Sequence, residues 1–280
     1  MSALDSSHAA SRAPAQGLVV CALDGALLGL FMISACSSVA LLEHPASPLP
    51  ALMPSEFLRR ALVGLAMGVT ALALVYSPWG RRTGALMNPA MTLCFLRLGK
   101  LEPSAAVGYV VAQFVGGTLG VLVCALALGR FVSDPAVHFV VTEPGTQGAA
   151  GAWLGEFAIS FVMLSVVTSV NRVPRLAPFT GFFAATLVAL YITFEAPLSG
   201  MSLNPARTFA SAIVAGSWRG FWIYLTAPVL GMLTAVEVDL RRNGHKTPCG
   251  KLTHDRSISC FVRCDCLSPS NARVPCKPVR

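Results

Sequence analysis

An all-α membrane protein, with six transmembrane helices and two re-entrant half-helices arranged as an inverted repeat, is the fold this sequence predicts, on three observations. The chain is 54% hydrophobic and 12% charged, with mean hydropathy +0.65, against about a quarter charged in soluble domains. Its apolar stretches reach the roughly 20 residues that a bilayer demands. One short sequence occurs twice, in matching places of the two halves: Met87-Asn88-Pro89-Ala90-Met91-Thr92 and Leu203-Asn204-Pro205-Ala206-Arg207-Thr208.

Taken in order, residues 1–16 form a polar, Ala/Ser-rich N-terminal segment without the basic stretch and short apolar core of a cleaved signal. Spans are expected near 18–42, 57–76, 104–128, 152–170, 178–196 and 220–240, with half-helices opening at Asn88 and Asn204. Each half therefore runs span, span, half-helix, span. Repeat one covers about 17–130 and repeat two about 150–240, making one channel-like domain of 17–240 followed by a basic tail, 241–280.

The half-helix starts follow from local chemistry. Proline is welcome in the first turn of a helix, where its missing N–H costs nothing, and the preceding Asn is a favoured cap. Such a start aims unpaired N–H groups, the positive end of the helix dipole and an amide side chain into whatever adjoins it. At bilayer depth that backbone survives only beside water or inside protein. A single Asn-Pro-Ala reads as a buried cap. Two in corresponding places read as half-helices from opposite faces meeting at the midplane, which is the architecture of a pore. Asp24 in the first span and Glu156 in the fourth are the only carboxylates read as lying well inside the spans, and an acid there needs a partner.

Basic residues set the expected orientation. Arg81, Arg82, Arg97 and Lys100 surround the first Asn-Pro-Ala, Arg172 and Arg175 lie between spans four and five, and Arg241 and Arg242 follow the last span. These segments and both termini are expected to be cytoplasmic. The opposite loops carry Glu43, Glu56, Asp134 and Glu143, with Arg59, Arg60, Arg130 and Arg219 at span ends on that side.

The formal charge of +8 does not point to nucleic acid, because the tail holds nine Lys or Arg against Asp255 and Asp265. A basic tail beside a bilayer leans on anionic lipid. Lacking apolar periodicity, it is expected to be disordered. Cys21, Cys36, Cys94 and Cys124 sit in apolar segments as small core residues, whereas Cys249, Cys260, Cys264, Cys266 and Cys276 lie in the tail. The run Cys260-x3-Cys264-x-Cys266, with His254 upstream, matches no usual zinc spacing, so neither metal nor cofactor is expected.

From about residue 18 to 240 the chain resembles the aquaporin and glycerol-facilitator family. The resemblance is carried by Asn88-Pro89-Ala90, by Asn204-Pro205-Ala206-Arg207, by Gly108-Tyr109-Val110-Val111-Ala112-Gln113-Phe114-Val115-Gly116-Gly117 as a third helix, and by Gly155-Glu156-Phe157 opening a fourth. It implies a passive channel for water and small neutral solutes that excludes protons and ions, working as a homotetramer with one pore per subunit. It assigns Asp24 and Glu156 to holding the re-entrant loops, Asp24 standing where relatives usually have the longer Glu. It places Arg207 in a narrow outer constriction with Ile192, Met201 and either Met67 or Gly68. Ile192 takes a place where strict water channels usually have His, and none of the four is the aromatic of most glycerol channels. Thr208 and Ala212 match the water type, Tyr224 the water type and Leu225 the glycerol type. Ala85 and Leu86 stand where relatives often have Gly and His.

The filter thus reads as hydrophobic with Arg207 as its strong donor, which suggests water permeation together with leakage of glycerol, urea, ammonia or hydrogen peroxide. The alternatives are a solute facilitator with low water selectivity, a secondary transporter, or a non-conducting relative. Saturable, ion-dependent uptake would mark a transporter. An enzyme is not expected, because all five histidines (His8, His44, His138, His245, His254) lie outside the spans and no catalytic constellation is present. The plain six-span layout suggests a bacterial cytoplasmic membrane.

Overall fold

The computed structural model describes residues 3–244 and Leu252, with side chains from Gly17 onward among these. Eight principal helices build repeat one (α1 Ala3–Glu43, α2 Glu56–Tyr76, α3 Pro89–Arg97, α4 Pro103–Leu128) and repeat two (α5 Gly148–Arg172, α6 Thr180–Phe194, α7 Pro205–Ala215, α8 Phe221–Asn243). Among the described residues six stretches are long and apolar enough to cross a membrane, in α1, α2, α4, α5 and α8 and in α6 together with the helical turn Ala177–Phe179 that precedes it. The expected boundaries shift in three places. The Ala-rich segment before Gly17 continues α1, as Ala's helix propensity favours. α5 starts at Gly148 rather than 152, and α6 stops at Phe194 before a separate turn, Ala196–Ser199, that carries Pro197. The expectations made for the tail, its disorder and its cysteines included, lie outside the described residues.

The two repeats interlock. α1 packs along α4, α5 along α8, and α2 of one repeat along α6 of the other. Each half-helix also leans on the last span of the opposite repeat, α7 on α4 and α3 on α8. Small residues set the close approaches, as is usual where helices meet in lipid. A side chain at Gly25 would run into the Ala112 carbonyl, and one at Gly116 into the Gly25 carbonyl, so α1 and α4 touch backbone to backbone. Ion pairs tie helix ends: Arg172 to Asp239 at 2.5 Å, Arg97 to Glu237 at 2.7 Å and Arg59 to Glu43 at 2.9 Å. Outward, α4 exposes Val107, Val111, Val115, Leu119, Leu122 and Leu126, an apolar face suited to hydrocarbon rather than water.

Candidate functional site: a two-fold pair of re-entrant loops

Both half-helices begin as their sequence predicts. Asn88 and Asn204 are extended N-caps, and each Oδ1 accepts from the backbone N–H two residues on, Ala90 at 2.8 Å and Ala206 at 3.0 Å. Pro89 and Pro205 occupy the first helical turn. Each amide then uses one of its two N–H groups across the molecule. Asn88 Nδ2 donates to the Leu203 carbonyl at 2.8 Å, and Asn204 Nδ2 donates to the Met87 carbonyl at 2.7 Å. The pair of loops is thereby tied together at their tips, and one N–H of each amide remains.

Those carbonyls are presented by unusual backbone. Gly84, Ala85 and Met87 have φ of 90°, 54° and 46°, and their counterparts Gly200, Met201 and Leu203 have 82°, 49° and 59°. A left-handed residue costs an L-amino acid about 1–2 kcal/mol, so each loop needs bonds that hold it. The buried acids supply them. Asp24 accepts from Leu86 N–H at 3.1 Å, Met87 N–H at 2.9 Å and Gln113 Nε2 at 2.7 Å. Glu156 accepts from Ser202 N–H at 2.5 Å, Leu203 N–H at 2.8 Å and Ser199 Oγ at 3.0 Å. The shorter Asp24 thus reaches both loop amides without the extra methylene.

The same logic repeats one layer out. Thr83 Oγ1 accepts from Ala85 N–H and Ser199 Oγ from Met201 N–H. Tyr109 donates to the Thr83 carbonyl at 2.7 Å and Tyr224 to the Ser199 carbonyl at 2.5 Å. Tyr224 is fully buried on this bracing bond and does not line the cavity, while Leu225 is 40% exposed on the outer face. Thr208, paired with Thr142 and Ser202, closes the network behind the second loop.

A cavity of about 530 Å³ runs past the loops, lined from Glu43, Glu56, Arg59 and Arg60 at one mouth to Val75, Ala184 and Leu252 at the other. Asn88, Asn204, Met67, Ile192, Met201 and Arg207 all line it. Gly68 does not: its missing side chain lets α2 close on Ala185 and Ala189 of α6, so Met67 is the α2 residue turned inward and the Gly68 alternative is corrected. The residues facing inward along α2 are Arg60, Val63, Met67, Ala71 and Val75, and along α1 Leu28, Phe31, Ala35 and Val39. Their i, i+3/i+4 spacing is the one signal by which sequence could have named them. Most of the wall is apolar. Arg207 Nη1 is buried without a hydrogen-bond partner, leaving a cationic donor at the edge of this space.

A third acid, overlooked among the carboxylates expected within the spans, sits just past α6. Both oxygens of Glu195 are buried and neither has a hydrogen-bond partner. Burial, and the nearby Glu156 charge, push its carboxyl up to about 8. Among the described residues no three His, Cys, Asp or Glu side chains group as metal ligands.

A family model, "Major intrinsic protein", matches residues 20–238. Aquaporin NIP1-2 of Oryza sativa subsp. japonica is 34% identical over 168 residues, 59% of this chain and 54% of that protein. Aquaporin NIP3-1 of Zea mays is 34% identical over 200 residues, 69% of this chain and 63% of that protein. The chain thus spans between about half and two thirds of the length of these relatives. Among solved structures, an aquaglyceroporin from Plasmodium falciparum superposes with a TM-score of 0.63 at 18% identity, covering 80% of this chain and 95% of that one. That likeness is one of fold.

Proposed function

This chain belongs to the major intrinsic protein family, and we propose that it is a passive membrane pore for water and small neutral solutes that excludes protons and ions. The observation that carries the reading is the pair of Asn amides, each with one N–H committed to the opposite loop, in a cavity lined also by Arg207, which among the described residues is the one Lys or Arg on the lining besides Arg59 and Arg60 at one mouth. A water oxygen accepting from Asn88 and Asn204 has both lone pairs engaged. Its hydrogens turn toward neighbouring waters, so a proton cannot be relayed through that point. The N-terminal ends of α3 and α7 add a positive potential against cations, and Arg207 adds a full charge.

The walls around Arg207 favour a permissive pore. Met67, Ile192 and Met201 offer no hydrogen bond, so a solute is selected by size and by one guanidinium contact rather than by a fixed polar pattern. This supports, as the second reading, a facilitator for glycerol, urea, ammonia or hydrogen peroxide with low water selectivity. Asp24 and Glu156 act as loop holders in both readings. Relatives bearing the name aquaporin, and a fold neighbour named an aquaglyceroporin, are compatible with either.

The finer assignments belong to the same proposal: both termini on the cytoplasmic side, from the distribution of Arg and Lys, and a homotetramer with a pore in each subunit. The relatives reported are plant proteins and lend no support to a bacterial membrane. Light scattering by proteoliposomes after sucrose and glycerol jumps tests the reading. Linear, ion-independent flux supports a pore, and saturation with ion dependence overturns it.

A further inference from the structure

Glu195 stands at the junction of α6 and the turn that leads into the second re-entrant loop. Both its carboxyl oxygens are buried without a hydrogen-bond partner, a costly arrangement for a charged group and a tolerable one for a protonated acid. The place is made for it. A side-chain carbon at Gly155 of α5 would come within 2.7 Å of Glu195 Oε1, so the glycine before Glu156 leaves the room that the carboxyl fills.

The elements around Glu195 bring charges but no counter-ion. α5 brings Glu156, whose charge opposes ionisation of a second acid beside it. α2 brings Arg60, whose Nε donates to the Thr193 carbonyl at 2.9 Å instead. The loop before α5 brings Glu143, which accepts from Ser217 Oγ at 2.6 Å and lies 3.8 Å from Arg219. α7 brings Arg207, within electrostatic reach of Glu156 and Tyr224, and Tyr224 of α8 donates to the Ser199 carbonyl. On α6 itself the Tyr191 hydroxyl is buried without a partner. The hydroxyl within reach of Glu195 is that of Ser199. Its proton is directed at Glu156 Oε1 at 3.0 Å, and its oxygen accepts from Met201 N–H at 3.1 Å. Ser199 thus connects Glu195 to the acid that holds the loop and to a residue that lines the cavity.

We propose that Glu195 is a proton-dependent switch on the second re-entrant loop: neutral, it leaves the Ser199 hydroxyl on Glu156 and Met201 in place; ionised, it draws that hydroxyl to itself and slackens the filter. The proposal rests on the pore reading above. A carboxylate binds a hydroxyl proton more strongly than a neutral acid does, so ionised Glu195 competes with Glu156 for it. Once Ser199 Oγ turns, the Met201 N–H loses its acceptor in a residue whose φ of 49° needs holding. Burial and the Glu156 charge, which push the Glu195 carboxyl up to about 8, put the change within an accessible pH range.

The test compares full-length protein, Glu195→Gln and Glu195→Leu in proteoliposomes, reading water and glycerol permeability from about pH 6.5 to about pH 9.5 and back, below the melting temperature of each. Parent permeability should fall roughly fivefold as pH rises through about 8, the factor that one ordinary hydrogen bond is worth, and recover on return. The variants, which cannot ionise at this position, should hold the parent's low-pH permeability throughout, and either one suffices. A parent profile as flat as the variants', or an equal fall in all three, with permeation well above empty liposomes, overturns the switch and leaves the pore reading standing. Absence of permeation in all three at every pH, with the fold intact, overturns the switch and counts against the pore reading as well.

Discussion

Replacing Glu156 with Gln probes the device on which the site depends. The carboxylate accepts three hydrogen bonds, two from the backbone N–H groups of Ser202 and Leu203 and one from Ser199 Oγ. A glutamine oxygen in the Oε1 place keeps two of them, now without charge assistance, and loses about 1 kcal/mol in each. Its NH2 faces the Leu203 N–H, leaving a buried donor unsatisfied at about 1–3 kcal/mol. Relief of the desolvation cost of a buried charge offsets part of this, so the net loss is about 2–4 kcal/mol. Met201 and Leu203, both left-handed, cost a similar sum at about 1–2 kcal/mol apiece. The bonds lost and the strain they hold are therefore comparable, and the loop should relax, carrying Met201 and Arg207 out of register. In detergent the melting temperature should fall by several degrees, and water permeability in liposomes should fall by an order of magnitude or more. A variant with wild-type melting and wild-type permeability would refute this account of Glu156.

Arg207→Ala should retain water flux but admit protons, read as faster collapse of an imposed pH gradient in dye-loaded liposomes; an unchanged proton barrier would remove Arg207 from the exclusion mechanism. Met201→Ala trims a side chain that lines the cavity and that the proposed function places in the filter, so glycerol permeability should rise several-fold with water flux little changed, and no rise would place the constriction elsewhere. Glu195 keeps its proton to about pH 8 in the folded chain, whereas an unfolded carboxyl ionises near pH 4.3. The folded state then binds more protons than the unfolded one between those values, so stability should fall as pH rises through that window and level off above about 8. Glu195→Gln should flatten the dependence and melt higher than the parent at pH 8.5; an equal pH slope in both proteins would refute the assignment.

Much of the fold was legible because it rests on local rules. Apolar length marks a span, and Asn before Pro marks a capped start, so the six crossings and both half-helices could be read along the chain. Span ends were less legible. At Phe194 the helix stops for a turn containing Pro197, and apolar content does not distinguish that turn from more helix. The inward choice of Met67 over Gly68 depends on how tightly α2 approaches α6, a property of the helix pair rather than of either position.

The acids of the two-fold bracing were legible through the family resemblance, but the Thr83/Ser199 and Tyr109/Tyr224 layer behind them was not, for a different reason. Thr83 corresponds to Ser199 and Asp24 to Glu156, so the bond is kept while the residue changes, and Tyr109 and Tyr224 make the same bond from different places in their repeats. Sequence identity between the halves therefore understates their likeness. Left-handed φ at Ala85, Met87, Met201 and Leu203 gives no compositional sign, because none is Gly or Asn. Glu195 was missed because it borders an apolar run, where an acid reads as the span's hydrated end although both its oxygens are buried.

Stopped-flow light scattering of purified protein in liposomes, under a sucrose gradient and then a glycerol gradient, with a pH-sensitive dye inside, tests the central claim most directly. The account predicts accelerated shrinkage in sucrose that stays linear in the gradient, re-swelling in glycerol, and a pH gradient that decays no faster than in empty liposomes. Rapid proton equilibration alongside the water flux would contradict it, because the proposed barrier needs the Asn88 and Asn204 amides and the Arg207 charge acting together against a relayed proton.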